Sequence, residues 1–316
     1  MKPGRAYLQK LGGPGLTLMA LALLATFPLY ASVYSMTLLT DILMFVVLAL
    51  SWALFSAPTG YISLAPAAFF GVGIYTSAIL GRQWPLPLTI ALGGAISFCL
   101  ALLVGALTLR LKGIYFAMFT FGLVELIKHF WLWFEIRFTG TRGRFVAVVD
   151  QQTIYFTMLA SFVLLLLTTH LIRRSRWGLA LRSIGECEEA AAHIGVNVNA
   201  LKTITFAISA IFMGAAGAII ATRWTYVDPY IAFNPLYSFM AVLMALFGGM
   251  GHPYGPVLGA AIFAYLEEVL LTRFPYYYML IFGVVLIITV LYLPEGLIGL
   301  MMRIRRRVVG GPDAPA

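Results

Sequence analysis

Residues 37–73 read TLLTDILMFVVLALSWALFSAPTGYISLAPAAFFGVG, an apolar run that is interrupted by Pro58, Gly60 and Pro66. The part before the interruption carries one charged residue, Asp41. It is long enough to cross the hydrocarbon core of a bilayer, which takes ~20 apolar residues. Proline removes a backbone hydrogen-bond donor and disturbs a helix, so a break is expected there. The stretch predicts a membrane protein with at least one broken helix.

The composition of the whole chain agrees with this interpretation. Of 316 residues, 61% are hydrophobic and 10% are charged, and the mean hydropathy is +0.94. Soluble domains are about half apolar and a quarter charged, so a soluble enzyme, a DNA-binding protein and a disordered chain are excluded. The sequence predicts one all-α polytopic domain over residues 1–316, with about ten membrane-spanning helices. The predicted spans are residues 13–34, 37–57, 60–80, 86–109, 113–134, 152–172, 201–222, 235–250, 256–271 and 276–293.

The positive charges predict the orientation of these spans. If both termini lie in the cytosol, most of the 21 Lys and Arg residues fall on the cytosolic side, as the positive-inside rule requires. The net charge of +9 is therefore read as a topology signal, and no nucleic-acid partner is expected. The Arg303–Arg307 cluster is expected to lie against anionic membrane lipid. A cleaved signal peptide is the alternative for the N-terminal apolar run, which we expect to be retained.

Charged residues inside the predicted spans need partners, because an unpaired charge is costly in a bilayer. Glu125, Lys128 and His129 are spaced i, i+3 and i+4, so they can meet on one helix face and neutralise one another. Asp41 is expected either to bond a neighbouring helix or to face another membrane subunit.

Two stretches rich in Gly and Pro interrupt the apolar pattern. Non-helical backbone at membrane depth is tolerated only against protein or a wet cavity, and broken helices often mark transporter sites. The first break could therefore line a translocation path, although small residues also permit close helix packing. The candidate path residues are Tyr61, Ser63, Pro66, Phe69 and Gly71. The second stretch, Gly248–Pro256, predicts a tight turn, with a gate element as the alternative.

The longest polar insertion, residues 173–200, reads RRSRWGLALRSIGECEEAAAHIGVNVNA and is predicted to be cytosolic. Two short helices are expected, over Arg176–Ile184 and Glu186–Ile194. The boundary signals are Ser175 as an N-cap, Gly185 as an interruption, and Gly195 with Asn197 as a C-terminal stop. From the residues alone, a connecting loop with capped helices and a docking surface for another protein are both open.

Several strings in this chain resemble those of a known family. Glu189-Ala190-Ala191, followed three residues later by Gly195, resembles the EAA-x3-G motif of ABC importer permeases. The string from Arg176 to Gly195 is similar to the LivM-type permeases of branched-chain amino acid importers. Further similar strings are Gly60–Leu64 with Ala67–Gly71, Leu111–Met118, and Gly248–Gly251 with Gly255–Ala260. The resemblance runs from residue 45 to residue 300 in consistent order.

The resemblance implies that residues 173–200 form a cytosolic coupling loop that docks on an ATPase subunit. The residues implied in this coupling are Arg176, Gly178, Arg182, Glu186, Glu189, Ala190, Ala191 and Gly195. It implies as partners a second, related permease, two cytosolic ABC ATPases and an external solute-binding protein. It also implies a location in the cytoplasmic (inner) membrane and a cargo of branched-chain or similar amino acids.

The chain lacks the G-x-x-x-x-G-K-[ST] phosphate loop, so ATP is expected to be hydrolysed by the partner subunits. No catalytic residue, metal site or cofactor of its own is expected, since no ligand spacing or nucleophile–base pair is legible. A permease for urea or short amides is the alternative function, and a stand-alone secondary carrier is a weaker one. A membrane enzyme acting on lipid lacks a visible catalytic constellation.

Overall fold

The computed structural model describes residues 14–111 and 113–277, together with residues 280, 281, 283, 284, 287 and 296–299. The described chain is almost entirely helical, as the sequence predicts. Its α-helices are α1 (Pro14–Thr26), α2 (Val33–Thr59), α3 (Pro66–Leu80), α4 (Leu86–Thr108), α5 (Ile114–Phe134), α6 (Gln151–Arg174), α7 (Arg176–Glu186), α8 (Glu188–His193), α9 (Val198–Ala221), α10 (Pro229–Ala232), α11 (Leu236–Gly248) and α12 (Tyr254–Arg273). Two short strands are β1 (Arg144–Phe145) and β2 (Tyr226–Val227).

Seven described helical segments are long and apolar enough to cross a membrane. They are α2, α4, α5 with the turn that follows it, α6, α9, α10 with α11, and α12. The chain is therefore a multi-pass membrane protein. The first and third predicted spans contain helices too short to be counted among the seven, α1 and α3, and most of the span predicted at 276–293 lies outside the described residues. The total of ten crossings stays a prediction.

The break after α2 follows directly from its residues. Gly60 ends the helix in the left-handed conformation, with φ 74°, and its N–H donates to the Ser56 carbonyl at 2.9 Å. Pro66 then opens α3 at the first helical position, where its missing N–H costs nothing. Residues 60–65 are not helical. The predicted span at 60–80 is thus a non-helical segment followed by a helix of 15 residues.

The core is built around α2 and α9, which are the most buried of the long helices. The α9 helix packs closely on α3 and α4 at glycine. A side chain at Gly73 would collide with the Gly214 carbonyl, and one at Gly217 would collide with the Phe70 carbonyl. By contrast α5 exposes large apolar side chains, such as Met118 and Leu126, as expected for a surface in contact with lipid or another membrane subunit.

At the end of the bundle opposite the α7–α8 pair, the loop after α5 is fastened to the loop after α9. A π-helical turn at Glu135–Thr139 is followed by β1, which pairs antiparallel with β2, with Arg144 opposite Val227. The sequence predicts a short helix or a hairpin over residues 135–152. The turn agrees with a short helix, but β1 pairs with the loop after α9, so the described residues of 135–152 form no hairpin of their own.

Candidate functional site

The broken segment 60–65 runs back into the bundle beside α2. The indole Nε1 of Trp52 donates to the carbonyl of Ser63 at 2.8 Å. Trp52 lies two turns before the C-terminal end of α2. Since an α-helix rises 1.5 Å per residue, Ser63 lies about 10 Å deeper in the bundle than that end. The third helix therefore starts inside the bundle and not at its surface.

Side chains from other helices satisfy the backbone of this break. The N–H of Leu64 donates to Thr120 Oγ1 at 2.9 Å, and that of Ala67 donates to Ser238 Oγ at 2.9 Å. The N–H of Ala65 bonds the nearby Ser63 hydroxyl at 3.2 Å. Unpaired backbone groups cost several kcal/mol in a membrane interior, so these hydroxyls make the broken conformation possible.

The predicted path residues lie at this break but are largely packed against protein. Pro66, Phe69 and Gly71 are fully buried, Ser63 is buried, and Tyr61 is half-buried. A side chain at Gly71 would collide with the ring of Phe233, and the ring of Phe69 packs edge-on against Phe206 at 5.3 Å. In this conformation they serve helix packing, and their role in a path stays a prediction.

The two short helices of the insertion, α7 and α8, form the hairpin that the sequence predicts, with shifted boundaries. Ser175 caps α7, since its hydroxyl accepts from the N–H of Gly178 at 3.4 Å. The prediction that Gly185 interrupts the pair is wrong, because α7 continues to Glu186. Gly195 follows α8 with φ 88°, as expected for a helix stop. Asn197 instead caps α9, accepting from the N–H of Ala200 at 3.2 Å.

Gly185 has a different role, which is close packing. A side chain there would collide with the carbonyl of Pro58, so the hairpin touches the end of α2 immediately before the break. The predicted coupling residues divide into two sets. Gly178 and Ala191 are buried, while Arg176, Arg182, Glu186, Glu189, Ala190 and Gly195 are exposed. One side of the hairpin thus faces the bundle and the other faces away from it.

A buried lysine, which no sequence pattern singles out, joins the hairpin to the break. Lys202 Nζ donates to Glu188 Oε1 at 2.8 Å, to the Tyr61 hydroxyl at 3.0 Å and to the Leu109 carbonyl at 3.2 Å. The Tyr61 hydroxyl in turn donates to Glu188 Oε2 at 2.7 Å. The positive-inside rule counts Lys202 among the cytosolic basic residues, although the apolar residues around it in α9 indicate burial.

An aromatic cluster continues from Tyr61 into the bundle. The Tyr61 ring packs edge-on against Phe116 at 5.6 Å, and Phe116 contacts Phe206 at 6.1 Å. Phe206 contacts Phe55 at 5.1 Å as well as Phe69 at the start of α3. Contiguous packing therefore connects the hairpin side of the break to the first turn of the helix that follows it.

The second glycine-rich stretch is a tight turn between α11 and α12, as predicted. A side chain at Gly248 would collide with the carbonyl of Gly255, and Gly249 has φ 96°. Burial, and then the neighbouring Arg173 guanidinium, lower the pKa of His252 in this turn. The imidazole is therefore neutral at neutral pH, and the turn adds no charge to the hairpin end of the bundle.

The charges inside the helices find the partners expected of them. Lys128 Nζ lies 2.6 Å from a carboxylate oxygen of Glu125, and His129 Nε2 lies 3.6 Å from the same oxygen. Asp41 pairs with Arg223 at 2.5 Å, so it bonds the segment that follows α9. Within the described part of the chain, no group of three or more His, Cys, Asp or Glu residues could hold a metal ion.

Comparison with known proteins assigns the family. The family described as branched-chain amino acid transport system / permease component matches residues 34–290. The chain belongs to this family. Both the hairpin and the break of this permease component lie within the matched residues.

The two LivM relatives cover most of the chain at low identity. The high-affinity branched-chain amino acid transport system permease protein LivM of Salmonella typhimurium is 26% identical over 90% of this chain and 74% of its own length. LivM of Escherichia coli has the same identity and coverage. The xylose transport system permease protein XylH of Haemophilus influenzae is 31% identical over 40% of this chain and 35% of its own length. No solved structure matches the chain.

Proposed function

We propose that this chain is the membrane-spanning permease subunit of an ABC importer in the cytoplasmic membrane. It pairs with a second, related permease and two cytosolic ATPases, receives solute from an external binding protein, and moves branched-chain or similar amino acids inward. The family assignment supports the permease role, and the names of the LivM relatives support the cargo.

The observation that carries the proposal is the hairpin formed by α7 and α8. Its outer side exposes apolar side chains beyond the ends of the long helices: Leu179 is 64% exposed and Ile194 is 74% exposed. Between them lie the small residue Ala190 and the charged residues Arg182 and Glu189. Exposed apolar groups among small and charged ones suit the groove of a protein partner.

The proposed mechanism starts with closure of the ATPase pair around ATP. Closure displaces the hairpin, and the hairpin displaces the end of α2 through the contact of Gly185 with Pro58. The non-helical segment 60–65 is the point at which α2 and α3 can change their relative angle. Free backbone groups at such a break can bind the charged ends of a zwitterionic amino acid in the open state.

Uptake by reconstituted complexes tests the function. The full complex in proteoliposomes, with ATP and binding protein, is expected to accumulate labelled leucine, and a non-hydrolysable ATP analogue is expected to abolish uptake. Parallel assays use xylose and urea. Uptake of xylose or urea but not leucine would contradict the proposed cargo. Uptake by the chain alone, driven by an ion gradient, would contradict the importer.

Docking of the hairpin is tested separately by introducing charge on its exposed side. Ile194→Asp is expected to reduce ATPase copurification about tenfold, because a carboxylate would be desolvated at the interface. Gln83→Asp, which adds a carboxylate at an exposed position at the opposite end, is the matched control. Equal copurification of both variants would contradict docking through this surface.

A further inference from the structure

Lys202 is unusual among the charged residues that the structure describes. Its side chain is 0% exposed, although it lies in the second turn of α9, close to the end of the bundle. An ammonium group has three donors, and all three are used here, on the Glu188 carboxylate, the Tyr61 hydroxyl and the Leu109 carbonyl. The ammonium also lies over the Tyr61 ring, 4.4 Å from its centroid.

These three acceptors belong to three different parts of the molecule. Glu188 is the first residue of hairpin helix α8, Tyr61 lies in the break, and Leu109 ends α4. The carbonyls at the end of a helix lack partners within it and carry the negative end of its dipole, so a lysine ammonium is well placed there. One side chain therefore joins the hairpin, the break and two long helices.

Burial makes this connection difficult to open. Removing one partner of a buried ion pair leaves an uncompensated charge, which is strongly unfavourable. A displacement of α8 that separated Glu188 from Lys202 would create that state. A concerted movement of Glu188, Lys202 and Tyr61 keeps the ion pair closed and so avoids leaving a buried charge without a partner. A second hydrogen bond also joins the hairpin to α9: the indole Nε1 of Trp177 in α7 donates to Thr205 Oγ1 at 3.0 Å.

We propose that Lys202 is a positioning residue for ATP-driven transport, which makes hairpin helix α8 and the broken segment 60–65 move as one body. This inference rests on the proposed function of the chain as an ABC importer permease. The motion reaches Tyr61 through its hydroxyl and passes through its ring to Phe116 and the aromatic cluster. Without the connection, the ATPases would still cycle, but the break would follow the hairpin less closely, since only the contact of Gly185 with Pro58 would remain between them.

The test measures leucine imported per ATP hydrolysed by the complete complex in proteoliposomes. Tyr61→Phe removes the hydroxyl and keeps the ring, so packing on Phe116 is preserved. The double variant Lys202→Met with Glu188→Gln removes both charges together and thereby avoids a lone buried ion. Both variants are expected to retain ATP hydrolysis and to import about fivefold less leucine per ATP. The single variant Lys202→Met is expected to assemble poorly.

Lys128→Met is the matched control. Lys128 is also a largely buried lysine paired with a glutamate, but its partner Glu125 lies on the same helix and its ammonium lies over the Tyr230 ring, so it does not join the hairpin to the break. Its ratio of leucine to ATP is expected to equal that of the unaltered complex. If Tyr61→Phe imports as much leucine per ATP as the unaltered complex, the proposal is overturned. This result decides the question even if the double variant fails to assemble. Failure of the unaltered complex to import leucine would instead contradict the proposed function.

Discussion

Single residues decide how closely the helices of this permease approach one another. Gly217 lies near the C-terminal end of α9 against the carbonyl of Phe70, and Gly73 lies in the same way against Gly214. Membrane helices gain little from apolar burial against one another, so close contact through small residues is their main source of packing energy. A methyl group is enough to disturb such a contact.

Gly217→Ala is therefore expected to destabilise the protein by about 1–3 kcal/mol through overpacking, although alanine is the better helix former. Gly122→Ala in α5 is the control, because no atom lies within 4 Å of the added methyl there, and it is expected to be neutral or stabilising. The free energy of unfolding in mixed detergent micelles measures both. Equal effects would show that α9 and α3 do not approach closely at Gly217.

The hydroxyl groups at the break are a second decisive feature at the scale of residues. Thr120→Val keeps the shape of the side chain but leaves the N–H of Leu64 without its acceptor. A loss of about 1–3 kcal/mol in unfolding free energy is expected, the cost of an unpaired buried donor. Thr168→Val, whose hydroxyl bonds only the carbonyl of Leu164 in its own helix, should change stability by less than about 0.5 kcal/mol. Indistinguishable values for the two variants would contradict the bond.

At the scale of elements, the hairpin depends on its caps. The Ser175 hydroxyl accepts from the N–H of Gly178 and donates to the carbonyl of Ile172 at 2.7 Å, so it orients α7 relative to α6. The sequence predicted this cap from a serine before an amphipathic run. It could not predict that Gly185 allows close packing, because the contact is with Pro58, which is far away in sequence.

Ser175→Ala is expected to cost about 1 kcal/mol locally, so that amides at the start of α7 exchange with deuterium roughly fivefold faster. Ser183→Ala, in the interior of the same helix, removes only a bond to the Leu179 carbonyl and is expected to leave exchange unchanged. Mass spectrometry of peptides covering 173–187 measures both rates. Faster exchange in both variants would mean that the hairpin is loosened generally and not at its cap.

Within the site, the sequence predicted some contacts and missed others for a physical reason. The i, i+3 and i+4 rule found Glu125, Lys128 and His129 because the partners share one helix. Lys202 and Tyr61 are 141 residues apart, and no local rule brings them together. Residues that satisfy one another across the bundle remain hidden until the packing is known.

At the scale of the whole molecule, hydropathy predicts the architecture well because the bilayer requires long apolar helices. Seven of the predicted spans are confirmed as helices of sufficient length. The helix in the third is shorter than predicted, since the residues after Gly60 are not helical inside the bundle, where protein hydroxyls replace helical hydrogen bonds. Hydropathy does not distinguish apolar helix from apolar extended chain when both are buried.

The orientation of the whole molecule is tested with its own cysteines. Cys99 and Cys187 are both exposed, and Cys187 lies in the hairpin. In a Cys99→Ala chain expressed without its ATPases, an impermeant maleimide is expected to label Cys187 only after the membrane is permeabilised. Thr141→Cys, in a chain lacking both native cysteines, is expected to be labelled in intact cells. Labelling of Cys187 in intact cells would place the hairpin outside.

The hydroxyls from other helices that accept hydrogen bonds from the backbone at the break are synthesised later than the break itself. The N–H of Leu64 finds its acceptor in Thr120, which is made 56 residues later, and that of Ala67 finds its own in Ser238, which is made 171 residues later. At about 5–20 residues per second, roughly ten to thirty seconds pass between synthesis of Ala67 and arrival of Ser238. During that interval the nascent third helix needs temporary partners, such as water or the insertion machinery. A chain truncated before α11 would therefore expose a conformation that quality-control proteases can recognise.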